Sequence, residues 1–146
     1  MHDNRLAGRL VKYWDMLRKD QAMPEAFYFN PTAVEDLWER CFRLRVLHYH
    51  GAKTTYQFDH MGDDIVASYG KNLTDEMITS KMRFPGSTVI KQIDSVVANP
   101  RILSDEGQFV SEKNKIVKYR ACLLPFGSPR DGVTHVVVGM SWREVH

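Results

Sequence analysis

Residues 57–73 read QFDHMGDDIVASYGKNL, and this stretch decides how the rest of the chain is interpreted. Its first residues alternate polar and apolar side chains, which is typical of a strand, and the following residues predict a short helix. Gly62 can supply the tight turn between the two, and Asp63 can cap the start of the helix. Gly70 can adopt the left-handed conformation that ends it. The stretch therefore predicts a strand that runs directly into a helix of one to two turns.

The length and composition predict one domain that can fold without disulfide bonds. The chain has 146 residues, 43% of them hydrophobic, and a formal net charge of +2. A chain of this size can bury roughly 70% of the surface that its unfolded form exposes. Its acids and bases are interspersed, which is not the pattern of a dedicated nucleic-acid binder. Because it has no apolar run of roughly 20 residues and no signal-peptide core, we expect a cytoplasmic protein without a membrane span.

Three further segments show helical periodicity. Residues 1–20 predict an N-terminal amphipathic helix, and residues 31–40 predict a short helix that begins with an Asn-Pro cap. A longer helix follows Pro85-Gly86-Ser87 and ends at Asn99-Pro100. Its inner face is aliphatic and contains Val89, Ile90, Ile93, Val96 and Val97.

The remaining segments predict five strands. They lie at residues 41–49, 55–59, 101–112, 116–126 and 133–143. A hairpin turn at 50–53 joins the first two strands. Gly107 predicts a bulge or a break in the third. The last strand is apolar on both faces, so we expect it in the middle of a sheet that is covered on both sides.

The order of these elements resembles that of PAS domains. In that fold, helices pack on one face of a five-stranded antiparallel sheet, and the last strand lies at the centre beside the first. Four local features resemble, more narrowly, small bacterial proteins that consist almost entirely of one PAS domain: the segment Leu10 to Leu17, Met23-Pro24, Asn30-Pro31 through Leu37, and the run Leu123 to Phe126 followed by an apolar strand. We therefore expect an α+β fold, with one PAS-like domain over residues 1–146, an N-terminal helical extension and a PAS core at 41–143.

The resemblance implies a sensory or regulatory module rather than an enzyme. Such a module would sense a small ligand, bind other proteins, or do both, and its output would pass through a partner protein. The flavin-binding branch of the family needs a cysteine in an Asn-Cys-Arg-Phe setting on a helix, and neither Cys41 nor Cys122 has that setting. The haem branch uses a histidine on the long helix, and Val89 to Ala98 contains none. We therefore expect no haem and no flavin.

A ligand pocket is expected between the sheet and the helices. The fold that the chain resembles often keeps a small pocket there, and buried tyrosine hydroxyls need hydrogen-bond partners. An ordinary packed core explains the same side chains equally well. The candidate pocket residues are Tyr56, Phe58, Tyr69, Val89, Ile93, Val97, Tyr119 and Leu123.

The apolar stripe of the N-terminal helix predicts a homodimer interface. A lone helix with a narrow stripe is marginal in water, so something must cover that stripe. The outer face of the sheet also needs a cover, and in PAS proteins the leading helix or a second subunit provides it. We expect a contact between two chains through Leu6, Leu10, Tyr13, Trp14 and Leu17.

Two groups of residues are weaker candidates for chemistry. His48, His50 and His60 surround the first hairpin and could bind a transition metal. No nearby cysteine or carboxylate completes the usual spacing, so we expect no metal site. Cys122 and His135 could act as nucleophile and base, although cysteine in an apolar strand is usually inert packing.

The two cysteines are not expected to form a disulfide bond. In the order of strands that the resemblance implies, Cys41 and Cys122 lie on strands separated by the central one. Two strand spacings amount to roughly 9 to 10 Å, which is beyond the reach of a disulfide.

Paired carboxylates raise the alternative of a small α+β cavity enzyme, an isomerase or dehydratase acting on an apolar substrate. Asp63-Asp64 and Asp75-Glu76 are such pairs, and general acid–base work needs two groups in different environments. Favourable charge at a helix N-terminus explains the first pair better. A carboxylate with a raised pKa inside the pocket would mark an enzyme, and no acidic residue falls on the predicted inner faces.

Nucleic-acid binding is a third hypothesis, and it rests on one basic sheet face. Arg43, Arg45, Lys118 and Arg120 are predicted to share that face, because their strands alternate in that sense. Solvated or partner-facing charge explains such a patch better than a phosphate site does. A nucleic-acid partner is therefore not expected.

Overall fold

The computed structural model describes residues 2–48, 53–78, 90–111 and 113–145. The helices are α1 (His2–Arg18), α2 (Glu35–Trp38), α3 (Asp63–Tyr69) and α4 (Ile90–Ala98), with short 3₁₀ turns at Ala26–Tyr28 and Pro31–Val34. The strands are β1 (Cys41–Leu47), β2 (Thr55–Met61), β3 (Leu103–Val110), β4 (Ile116–Ser128) and β5 (Gly132–Val145). Within these ranges no helix is long and apolar enough to cross a membrane. The predicted hairpin turn at 50–53 lies largely outside the described residues, which resume at residue 53.

The five strands form one antiparallel sheet in the order β2-β1-β5-β4-β3. The last strand lies at the centre beside the first, as predicted. Val136 and Val138 point to one face of the sheet and Val137 to the other, and all three are fully buried. The face of Val136 carries α4 and is called the inner face; the face of Val137 carries α1 and is called the outer face.

Helix α1 packs on the outer face of its own sheet. Leu6, Leu10 and Trp14 are buried within the single chain, and Leu10 fills the space that a side chain at Gly139 would need. At the other end of the helix, the Trp14 indole N–H donates a hydrogen bond of 2.7 Å to the carbonyl oxygen of Pro125. The stripe that was expected to meet a second subunit is therefore covered by β4 and β5 of the same chain.

The junction between β2 and α3 depends on Gly62. This residue, and not Asp63, is the N-cap of α3, and it makes no side-chain cap. Its N–H donates to the carbonyl oxygen of Cys41 at 2.8 Å, and a Cβ here would overlap the carbonyl of Glu39. The prediction that Asp63 caps the helix is wrong, because this tertiary contact requires glycine at the cap. Gly70 ends α3 in the left-handed conformation with φ 94°, as predicted.

The predicted bulge at Gly107 is wrong. The β3–β4 register runs without a shift, and Gly107 lies opposite Tyr119. A Cβ at this position would lie 3.0 Å from the Tyr119 hydroxyl oxygen, so glycine makes room for the ring. The described strands have irregularities elsewhere, between Arg43 and Leu44 on β1 and after Phe126 on β4.

Adding one methyl group at Gly139 should test the packing of α1. Gly139→Ala forces the buried Leu10 side chain away from the sheet, so the free energy of unfolding in urea should fall by about 1–3 kcal/mol. The control is Gly8→Ala on the exposed side of α1, where a Cβ meets nothing within 4 Å. That change should stabilise the protein by up to about 1 kcal/mol through helix propensity. A neutral Gly139→Ala would show that α1 does not pack closely on the central strand.

Candidate functional site

The predicted pocket residues that lie on the described strands point to the inner face, where α4 packs against β4 and β5. Tyr69 and Val97 are partly buried at the margin of the same core, and Val89 lies outside the described residues. Buried within that core are Tyr56, Phe58, Ile93, Tyr119 and Leu123. The structure therefore brings together the described members of the predicted set, and their side chains belong to one continuous hydrophobic core.

Two tyrosine–carboxylate hydrogen bonds border this inner core. The Tyr56 hydroxyl donates to Asp94 Oδ1 and so joins β2 to α4. The Tyr119 hydroxyl donates to Asp105 Oδ2 at 2.9 Å, between β4 and β3. The prediction that buried tyrosine hydroxyls have partners is confirmed.

The expectation that no acidic residue reaches the inner face is wrong. Asp105 lies two residues after Leu103 on β3 and so shares its face, a signal that strand alternation contains. Asp94 follows the buried Ile93 on α4 and is exposed, but its carboxylate reaches Tyr56 across the edge of the core. Helical periodicity alone gives no sign of that contact.

The Tyr56 hydroxyl keeps its proton far above neutral pH. Burial raises the pKa of Tyr56 most, and the hydrogen bond to Asp94 raises it further. The hydroxyl is therefore a fixed donor, and the bond links β2 to α4 instead of serving as an acid–base pair.

A bulge in β2 brings polar side chains together on the outer face. Arg43 lies opposite His60 while the next residue of β1 lies opposite Phe58, so Asp59 is the extra residue on β2. Arg43 Nε donates to Asp59 Oδ1 at 2.7 Å, and His135 Nε2 lies 3.6 Å from Asp59 Oδ2. This bulge has no signal in the alternating sequence, and sequence reasoning missed it.

The rings of Trp38 and His60 stack beside these polar side chains. Their centroids are 4.0 Å apart with an interplanar angle of 9°, and the Arg43 guanidinium lies 5.7 Å from the Trp38 ring centroid. Burial lowers the pKa of His60 and of His135. The hydrogen bond to the Trp38 carbonyl oxygen raises the pKa of His60 by less than burial lowers it. The charge of Asp59 likewise raises the pKa of His135 by less than burial lowers it.

Two of the three histidines around the first hairpin make backbone hydrogen bonds. His48 Nε2–H donates to the carbonyl oxygen of Val133 at 3.1 Å, and His60 Nε2–H donates to that of Trp38 at 3.3 Å. His50 lies outside the described residues. In the described part of the chain, no three metal-ligating side chains gather in one place.

Cys41 and Cys122 lie on either side of Gly139 of the central strand, and both are free and buried. The separation that argued against a disulfide is confirmed. Burial raises the pKa of the Cys41 thiol and raises the pKa of Cys122 to about 11, so both thiols are protonated at neutral pH. His135 lies opposite Phe126, four residues and roughly 13 Å along β4 from Cys122. The structure does not bring the suggested nucleophile and base together.

The four predicted basic residues share the outer face but form two separate patches. Arg43 and Arg45 lie beside Val137 and His135 of β5, whereas Lys118 lies beside Arg143. Positions 137 and 143 are roughly 20 Å apart along the strand. Helix α1 covers Gly139 between them. One continuous basic face is therefore not formed.

The carboxylate pairs are surface groups. Asp63 and Asp64 lie in the first turn of α3, as the helix-dipole explanation predicts, and Asp64 pairs with Arg40 at 3.3 Å. Glu76 pairs with Lys71 at 3.6 Å.

Removing the Tyr56 hydroxyl should weaken the link between β2 and α4. Tyr56→Phe should lower the free energy of unfolding by about 1–3 kcal/mol, the range for a hydrogen bond to a charged group. Because folding raises the pKa of Tyr56, the wild type should also lose stability above about pH 10, and the variant should lose less. Urea unfolding at several pH values measures both effects. Tyr28→Phe, at an exposed position, is the control and should change stability by less than about 0.5 kcal/mol.

The half-buried His60 and His135 should make the fold sensitive to acid. Folding lowers the pKa of both histidines below the unfolded value of about 6.5, because the folded state favours the neutral ring. The stability that each neutral ring contributes is therefore present above about pH 6.5 and is lost as the pH falls through the pKa of the folded state. The variant His60→Gln/His135→Gln should lose less stability than the wild type between about pH 7 and pH 5. Equal pH slopes in the two proteins would contradict the assignment.

Comparison with known proteins agrees with this geometry. A family model described as a PAS domain matches residues 3–141, which include the whole sheet up to Ser141 of β5. Among solved structures, the chain is similar to the PAS domain of an HTR-like protein from Haloarcula marismortui. The identity is 12% and the TM-score 0.43, and the match covers 97% of this chain and 99% of that chain. No curated protein matches the chain. PAS domains are generally sensory and signalling modules, and with a match over nearly its full length this chain belongs to the PAS domain family.

Proposed function

We propose that this chain is a regulatory PAS module that acts by binding another protein, and that its output passes through that partner. The observation that carries the proposal is the close packing of the inner core and the hydrogen bonding of its tyrosine hydroxyls. Phe58, Ile93 and Leu123 are fully buried, and the hydroxyls of Tyr56 and Tyr119 find their partners within the chain. Because these two tyrosine hydroxyls need no ligand to satisfy them, protein interaction is favoured as the way the module acts.

Sensing of a small ligand is the second arm of the same proposal. A ligand bound between α4 and the sheet would separate the two and break the bond between Tyr56 and Asp94. No haem or flavin is proposed. The cytoplasmic location stays a prediction.

A non-catalytic role is part of the proposal. The groups that could act as nucleophile or base are held in unreactive states: the Cys122 thiol is protonated and buried, and His135 lies far from it. The inner-face carboxylates Asp94 and Asp105 accept hydrogen bonds from tyrosine. The alternative of an isomerase or dehydratase has no supporting arrangement in the described residues.

Homodimerisation stays a prediction, with a changed geometry. Leu6, Leu10 and Trp14 are already buried on the sheet of their own chain, so they offer a second subunit little apolar surface. A dimer through these residues requires two chains to exchange α1, which preserves the same contacts between chains. Tyr13 and Leu17 are partly buried at the edge of the helix.

Native mass spectrometry of the protein purified from its own organism tests both arms of the proposal. We expect the polypeptide mass without a small molecule and, after mild cross-linking before lysis, a defined protein partner. A stoichiometric small molecule would move the function to ligand sensing. Turnover of a substrate by the purified chain, with no partner found, would contradict the proposal.

A further inference from the structure

Helix α1 covers only part of the outer face, and the uncovered end forms an open groove of about 830 Å³. Four cationic side chains line it, one from the turn before β1 and three from β4 and β5: Arg40, Lys118, Arg120 and Arg143. Glu106 of β3 is on its wall, and the largely buried Ser141 also lines it. We call this surface the basic groove.

Two of these cations face each other directly. Lys118 of β4 lies opposite Arg143 of β5, and residues in such positions have Cβ atoms roughly 4.5–5.5 Å apart. Like charges opposite one another destabilise a sheet. Both side chains are exposed, and in the described ranges neither has a carboxylate within ion-pair distance. Within the described ranges, this pair of positive charges at the surface of the sheet therefore has no compensating carboxylate.

The other two cations form exposed ion pairs. Arg120 pairs with Glu106 and Arg40 pairs with Asp64, each at 3.3 Å. The side chains of both pairs are largely exposed, and exposed ion pairs contribute little to stability. An incoming anion can therefore replace Asp64 beside Arg40 at small cost.

A second concavity adjoins the basic groove at the same end of the sheet. Leu6 and Ala7, near the N-terminal end of the 17-residue helix α1, line this concavity of about 390 Å³. That concavity shares Glu106, Arg120 and Ser141 with the basic groove.

We propose that the basic groove binds an acidic, extended segment of a partner protein. The proposal rests on the proposed function, because it supplies the partner contact that this function requires. Glu106 lies on the wall of the basic groove, and Asp64 lies beside Arg40 of the same groove. These carboxylates would repel a nucleic-acid backbone with a charge at every nucleotide. A peptide whose carboxylates are spaced along its chain can contact the cations and avoid the carboxylates of the groove.

Fluorescence anisotropy with defined probes tests the groove. The probe is a labelled ten-residue peptide of Asp and Glu alternating with Ser. The reference probes are its Asn/Gln counterpart and a single-stranded DNA of equal charge. We expect the acidic peptide to bind at low salt, to weaken as salt rises, and to bind more tightly than either reference probe.

The variant Lys118→Glu/Arg143→Glu should weaken binding of the acidic peptide at least about tenfold. The matched control, Lys12→Glu/Lys53→Glu, makes the same change in net charge at two exposed positions away from the groove, and it should change affinity less than about twofold. Lys118→Gln/Arg143→Gln removes the charges without introducing acids and should also weaken binding. Circular dichroism confirms that each variant is folded.

Three results would overturn the proposal: no binding of the acidic peptide at low salt, equal loss in the groove and control variants, or tighter binding of the DNA with loss in the groove variant. Cross-linking in the organism of origin shows whether only the groove proposal is wrong or the proposed function is wrong as well. A partner that is retained by Lys118→Glu/Arg143→Glu contradicts the groove and leaves the proposed function in place. Absence of any partner for the wild type contradicts the proposed function itself.

Discussion

The close packing of α1 on Gly139 is the constraint on which the outer face depends. Glycine at the centre of β5 lets Leu10 reach the backbone of the sheet. A Cβ at this position would also lie 3.5 Å from Cys122 Sγ and 3.6 Å from Cys41 Sγ. Because Gly139 has no side chain, helix α1 packs directly on the central strand and on the thiols of its two neighbouring strands. The burial of these thiols, and with it their raised pKa values, follows from that packing.

The position of α1 also determines which part of the sheet stays open. The helix is held at Gly139 and, through the Trp14 indole, at Pro125. Strands β4 and β5 have 13 and 14 residues, whereas β1 and β2 have 7 each. The two long strands therefore extend past the start of the helix, and their outer positions there carry Lys118, Arg120 and Arg143. Polar and charged side chains at this end can remain exposed to solvent, so the ends of β4 and β5 can serve as a surface for a partner.

Local signals in the sequence were enough for the elements and for their order. Alternation and caps predicted the strands, the glycine at the end of α3 and the central place of β5. They failed where a residue far along the chain decides the local geometry. Gly107 looked like a break but accommodates the ring of Tyr119, and the cap at Gly62 depends on the carbonyl of Glu39. The apolar stripe of α1 shows which side of the helix is covered, but not whether the same chain or another one covers it.

Strand β5 connects the two faces that the proposed function uses. Its residues Val136, Val137 and Val138 are fully buried and alternate between the faces, so the layers on both sides are packed against the same backbone. Close-packed interiors do not absorb a displacement locally. A shift of α4 that breaks the bond between Tyr56 and Asp94 would therefore strain β4 and β5, because α4 packs on both. Since the same strands carry the basic groove, an event at the inner face has a physical path to the surface where we place the partner.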